Sequence, residues 1–281
     1  MTPEQARKEV RDAVVMDVSD LTLATEGRPV GVRLYRPARP APAPVLMYFH
    51  GGGWVTGDLD THDSFCRVMS EWAGCAVVAV DYPRPPEHRF PAAVKSCYTA
   101  TSWIARNGAS LGLDPQRIAV AGGGSGGGLA AVICQMARDL GAPPIGFQLL
   151  LYPVLDCLAR NRSRRNFANG FGLTAELMDW YLDQYVPPDI PLGHPWLSPA
   201  RDTSLQGLPA ALIITAGCDL LRDEGRAFAR GLKRAGVPVQ HKEYTGMPHG
   251  FINYPATEAS ARRAVLLCAE ALAGFFDPPP A

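Results

Sequence analysis

The sequence predicts an α/β architecture, a mostly parallel sheet covered by helices on both faces. Three observations carry this expectation. Short apolar runs such as "VLMYFH", "AVVAVDY" and "AALIITAG" lack polar alternation, as strands buried on both faces require. They alternate along the chain with segments of helical periodicity, the pattern of repeated strand–helix units. The chain has 281 residues and is 47% hydrophobic, enough for one large domain with a sizeable core.

Taken in order, "MTPEQARKEVRDAVV" reads as a short amphipathic helix, with Thr2 as N-cap and Pro3 at the first helical position. It has no basic end followed by an apolar core, so it is not expected to be a signal peptide. "VGVRLYRP" is an amphipathic strand, followed by the proline-rich connector "RPARPAPAP". "VLMYFH" is a buried strand ending in His50, and "THDSFCRVMSEWAG" a helix. "AVVAVDY" is a strand, the proline-rich loop "PRPPEHRFP" follows it, and residues 92–111 read as a helix. "RIAVAG" is a strand and "GLAAVICQMARDLG" a helix ended by Gly141. "FQLLLYPVLD", "AALIITAG" and "VQHKEYTG" are strands, "EGRAFARGLKRAG" is a helix ended by Gly236, and a last helix runs over 257–276. Residues 157–205 break the alternation and read as an insertion that covers a site at the carboxyl ends of the strands. The expectation is therefore a single domain over 1–281, with small helical cap elements at about 1–25 and about 157–205.

Composition narrows the function classes. Lys+Arg and Asp+Glu both number 27 and are interspersed, so neither a nucleic-acid groove nor a membrane-surface patch is expected. No apolar run reaches the roughly 18 residues of a membrane span. The 7 cysteines are scattered with no CxxC, which fits a reducing compartment and a cytoplasmic protein. No His/Cys group has zinc-ligand spacing.

Chemistry has four candidate seats. "HGGGW", His50 to Trp54, follows a buried strand, and its glycines can point backbone N–H groups into a cleft, as an oxyanion hole needs. The run Gly122–Gly128, broken only by Ser125, lies between a strand and a helix and fits a G-x-S-x-G nucleophile elbow. It also fits a dinucleotide fingerprint at Gly122, Gly124 and Gly127, because so glycine-rich a run satisfies almost any glycine motif. In "TAGCDLLRDEGR", Asp219 follows a strand end and is the carboxylate placed to orient a histidine; its alternative is a helix cap. In "GMPHGF", His249 sits in a loop between a strand and the last helix. The chain order Ser125, Asp219, His249 is that of the α/β-hydrolase triad.

Together these segments resemble the hormone-sensitive-lipase-like (bacterial family IV) carboxylesterases of the α/β-hydrolase fold. "HGGGWVTGDLDTHD", "DYPRPPEHRFPAA", "DPQRIAVAG", "LRDEGRAFARGLKRAGVPV" and "EYTGMPHGF" match in order and spacing. The resemblance implies hydrolysis of small acyl esters by a Ser-His-Asp mechanism without cofactor or metal. It places Asp219 and His249 on the acid and base, and Gly52 and Gly53 on the oxyanion donors. A homodimer acting on a small-molecule ester is the expectation carried over from relatives.

The chain also departs from the pattern. The family's N-terminal lid helices are usually longer, and its "YRLAPE" reads "YPRPPE" here. Aligned on both flanks, Gly124 takes the nucleophile position, and Ser125 the next one, whose N–H completes the oxyanion hole. Two readings stay open. Ser125 is the nucleophile in a rearranged elbow, or Gly124 stands at the tip and the chain is an inactivated variant, a small-molecule binder or a non-hydrolytic enzyme with His249 as base. The glycine is at home at the positive φ of an elbow tip, which favours Gly124 there. Phe167, Phe171, Met178, Trp180 and Tyr181 are expected to divide between an apolar acyl pocket and the core of the cap, with Trp54 and Phe251 as further substrate contacts.

Overall fold

The computed structural model describes residues 16–254 and 258–277. The N-terminal helix expected from Thr2 lies outside the described residues. Among the described residues, eight strands form one sheet in the order β1-β2-β4-β3-β5-β6-β7-β8. They are β1 (Asp17–Leu23), β2 (Val30–Arg36), β3 (Ala43–Phe49), β4 (Ala76–Asp81), β5 (Leu113–Gly123), β6 (Ile145–Leu151), β7 (Ala210–Cys218) and β8 (Val239–Pro248). β1 and β2 pair antiparallel, as do β2 and β4; the remaining pairs are parallel.

The central strands are mostly apolar because both faces are covered. In β3, Val45, Met47 and Phe49 enter one hydrophobic layer, and Leu46 and Tyr48 the other. The first layer is closed by α2 (Ala92–Asn107), α3 (Ser125–Leu140) and α6 (Arg222–Arg234); the second by α1 (Asp63–Ala73) and α7 (Ala259–Phe276). Between β6 and β7 the chain makes the short α4 (Arg162–Asn166) and then α5 (Ala175–Tyr185), within the stretch expected as a cap. Thr174 caps α5, its hydroxyl accepting the Leu177 N–H at 3.1 Å.

Two expectations are corrected here. Residues 17–23, assigned by the sequence to a cap element, are the edge strand β1, paired along its length with β2. Only Leu23 of this strand is buried, and Asp17, Ser19, Asp20 and Thr22 hide the apolar alternation that marks a strand. The helix after β5 starts at Ser125, inside the glycine run rather than beyond it. Glycine is a poor helix former, but tertiary packing requires it here. A methyl carbon on Gly126 would lie 2.0 Å from the Phe49 carbonyl oxygen, so α3 meets β3 backbone to backbone. The run that fits a dinucleotide fingerprint is therefore occupied by internal packing. The carboxyl ends of β3, β5, β7 and β8 converge on one rim of the sheet, where an open α/β sheet carries its ligand site.

Candidate active site

Each loop at that rim delivers one candidate group. Asp219 follows β7, is buried, and has Oδ1 fixed by the Leu221 N–H at 2.9 Å. His249 follows β8, and its Nδ1 donates to Asp219 Oδ2 at 2.7 Å. That bond sets the tautomer and leaves Nε2 as the free lone pair. The edge of the Tyr152 ring, 4.7 Å away between centroids, supports the imidazole from the side.

Gly124 forms the turn between β5 and α3 with φ 55° and ψ −117°, a conformation strained for any side chain. A methyl carbon on Gly124 would lie 3.1 Å from His249 Nε2. The base therefore faces Gly124. Ser125, one residue on, is buried in the first turn of α3, where its Oγ accepts the Trp54 N–H at 3.2 Å. The structure thus brings Asp219, His249 and Gly124 together and turns the Ser125 hydroxyl toward the HGGGW loop.

That loop is held from below. Burial pushes the His50 imidazole down to about 3, so it is neutral near pH 7, and its Nδ1 donates to the Gly51 carbonyl at 2.8 Å. The Tyr82 ring stacks on His50 at 4.1 Å, and its hydroxyl donates to the His50 carbonyl at 2.8 Å. Arg84, in the departing "YPRPPE" segment, donates to the Gly57 carbonyl at 2.6 Å. Trp54 stands at φ 63°, a conformation held by stacking on Tyr185 with centroids 4.8 Å apart and ring planes 4° apart.

A cavity of about 380 Å³ opens between these loops, bordered by Gly52, Gly53, Gly124, Ser125 and His249. Val154, Leu173, Leu177, Met178 and Tyr181 give it an apolar wall. Tyr181 lies directly over Gly53: a methyl carbon there would meet its ring at 2.2 Å. Trp54 and Phe251, expected as substrate contacts, do not line the cavity. Trp54 is buried behind the loop against Tyr185, and Phe251 packs on Tyr244 and Tyr152. Of the five cap residues expected to divide between acyl pocket and cap core, Met178 and Tyr181 border the cavity. Phe167 packs edge-on against Phe171, and Trp180 is exposed.

Sequence reasoning missed Tyr152, Val154 and Asn253, which also line the cavity. Tyr152 carried a usable signal, an aromatic residue closing a buried strand just before proline; Asn253 carried none. Among the described residues no group of three or more His, Cys, Asp or Glu side chains is placed to hold a metal ion, and no helix is long and apolar enough to cross a membrane.

A parallel sheet with a glycine elbow after β5 and an Asp-supported histidine after β8 defines the class of α/β hydrolases. A family model described as alpha/beta hydrolase fold matches residues 46–253, and the chain belongs to this family. It is 43% identical over 244 residues to the carboxylic ester hydrolase LipN of Mycobacterium tuberculosis, a match covering 85% of this chain and 65% of that protein. It is 43% identical to the esterase LipI of the same organism, covering 89% of this chain and 81% of LipI. It is 37% identical to an ethyl acetate hydrolase of Pseudomonas putida, covering 91% and 82%. Among solved structures, a thermostable esterase from Pseudomonas putida superposes with a TM-score of 0.91 at 36% identity, covering 99% of this chain and 92% of that one. An esterase from Pyrobaculum calidifontis gives 0.89 at 38% identity, covering 98% and 94%.

Proposed function

We propose that this chain is a carboxylic ester hydrolase acting on small acyl esters. The observation that carries the reading is the His249–Asp219 pair, with Nε2 aimed past Gly124 into a cavity bordered by Gly52, Gly53 and Ser125. In this reading an acyl ester lies with its carbonyl carbon over Gly124 and its oxygen toward the N–H groups of Gly52, Gly53 and Ser125. Those donors take the negative charge that develops on the oxygen. His249 is the base, and Asp219 fixes its ring and stabilises the imidazolium. The cap stretch 157–205 supplies Leu173, Leu177, Met178 and Tyr181 as the apolar wall for the acyl group. A cavity of about 380 Å³ suits a small substrate. The names of the relatives support the same reaction class.

Steady-state hydrolysis of p-nitrophenyl acetate tests the reading. Turnover by the parent chain is expected to fall by about 10²–10⁴ in His249→Ala. A rate equal to that of His249→Ala would instead favour the second reading, a small-molecule binder without turnover. The observation behind that second reading is Gly124, which leaves the elbow tip without a side-chain nucleophile.

Two coarser features belong to the same proposal. The cysteines are free and mostly buried, which supports a reducing, cytoplasmic setting. Among the described residues no strand pairs with the outer edge of β8, the last strand of the sheet, which supports a homodimer formed across it.

A further inference from the structure

We propose that the attacking nucleophile in this chain is a water molecule activated directly by His249, so that the reaction passes through no acyl-enzyme. This rests on the ester-hydrolase reading above.

The elbow itself is the first ground. Nε2 faces the α-carbon of Gly124, where a methyl carbon would lie 3.1 Å away. The space that a hydroxymethyl group would fill is close to the ~30 Å³ share of one water molecule. It borders the cavity, is reached by a strong acceptor, and lies beside the position of the acyl carbon.

The second ground is that Ser125 cannot take the role by sliding one residue along the elbow. Gly124 is pinned on three sides: its N–H donates to the Leu151 carbonyl at 2.9 Å, and its carbonyl accepts the N–H groups of Val154 at 2.9 Å and Gly128 at 3.1 Å. A one-residue slide would bring Leu129 into the place of Gly128, where even a methyl carbon lies 2.5 Å from the Val154 carbonyl oxygen. It would also turn α3 by about 100° and pull its buried face off the sheet. The Ser125 hydroxyl stays on the Trp54 N–H.

The other hydroxyls at the cavity are committed or unreactive. Thr56 donates to the Gly52 carbonyl at 3.0 Å, and Thr61 to the Asp58 carbonyl at 2.8 Å. Tyr181 lies 3.4 Å from the Thr56 hydroxyl. Burial pushes the Tyr152 phenol up, so it stays protonated.

The step balances with water as the only co-reactant. The water oxygen bonds to the acyl carbon while its proton passes to His249 Nε2. The carbonyl π pair moves onto the oxygen held by the Gly52, Gly53 and Ser125 N–H groups. When the tetrahedral adduct collapses, the C–O bond to the alcohol breaks, and the imidazolium returns its proton to the departing oxygen. The products are one carboxylic acid and one alcohol. Both steps share the leaving group, so esters of more acidic alcohols are expected to turn over faster, without levelling at a common kcat.

Intact-protein mass spectrometry of the full chain, acid-quenched during turnover of p-nitrophenyl acetate, tests this. The parent is expected to show His249-dependent turnover, no pre-steady-state burst and no acetyl adduct. Gly124→Ser is expected to gain a burst of about one equivalent and an acetyl adduct on the introduced serine. An acetyl adduct on Ser125 in the parent would overturn the water route and leave the ester-hydrolase reading standing. Parent turnover no greater than that of His249→Ala would overturn both. The parent's spectrum decides the matter even where Gly124→Ser fails to fold.

Discussion

At Gly124 the elbow meets two demands that a serine meets together and a glycine separates. The tip needs a residue tolerant of φ 55°, and the base needs a partner within reach. Glycine relieves the first, since a non-glycine residue there costs ~1–3 kcal/mol. It leaves the second to whatever fills the space in front of Nε2. Gly124→Ala therefore serves as the residue-scale test. Its methyl carbon occupies that space 3.1 Å from Nε2 and offers no hydroxyl. The expected outcome is a loss of at least ~10-fold in kcat/KM for p-nitrophenyl acetate, because the general base is cut off from water. A rate equal to the parent's would show that catalysis does not use the space above Gly124.

The elements around the site are joined at a few backbone contacts, and those contacts set their precision. α3 meets β3 through Gly126, and α5 reaches over the HGGGW loop through Tyr181 on Gly53. Tyr185, at the end of α5, stacks under Trp54, so one short helix supports both walls of the loop. Thr174 starts that helix, its hydroxyl holding the Leu177 N–H at 3.1 Å. Thr174→Ala is expected to lower stability by ~1 kcal/mol in urea denaturation, the usual worth of such a cap. The element boundaries show how far local pattern reaches. β3, β4 and β7 are legible because an unbroken apolar run has no other stable home. β1 is not, because its polar residues gain their place only from pairing with β2. The glycine start of α3 is likewise invisible to helix propensity, since the packing that demands it comes from the distant Phe49 carbonyl.

Across the whole molecule, Glu224 of α6 ties the sheet, the cap and the site together. Its Oε1 accepts the Leu155 N–H at 3.1 Å, and its Oε2 pairs with Arg164 of α4 at 3.2 Å. Burial outweighs Arg164 and raises this carboxyl from 4.5 to about 7. The native state therefore holds this proton more tightly than the unfolded chain does. Its stabilising contribution is full below pH 4.5 and is lost as pH rises to about 7. The loss from this one group is roughly 3 kcal/mol. Urea midpoints at pH 5 and pH 8 are expected to fall more for the parent than for Glu224→Gln; equal falls would remove Glu224 as the cause.

The fold class, the order of most strands and helices, and the loops from which Asp219, His249, Gly124 and the HGGGW glycines come are all legible in the amino-acid sequence. These are properties of local spacing: apolar runs set strands, and short motifs at strand ends mark the loops. Which atoms those loops present follows from contacts made in the folded chain. Ser125 points its hydroxyl at Trp54 because Val154 and Leu151 pin Gly124. Trp54 and Phe251 became core rather than cavity wall because Tyr185, Tyr152 and Tyr244 reach them from other segments. Tyr152 and Asn253 joined the site for the same reason in reverse. Side-chain direction at a loop is set by contacts distant in sequence, and that is the information a linear pattern does not contain.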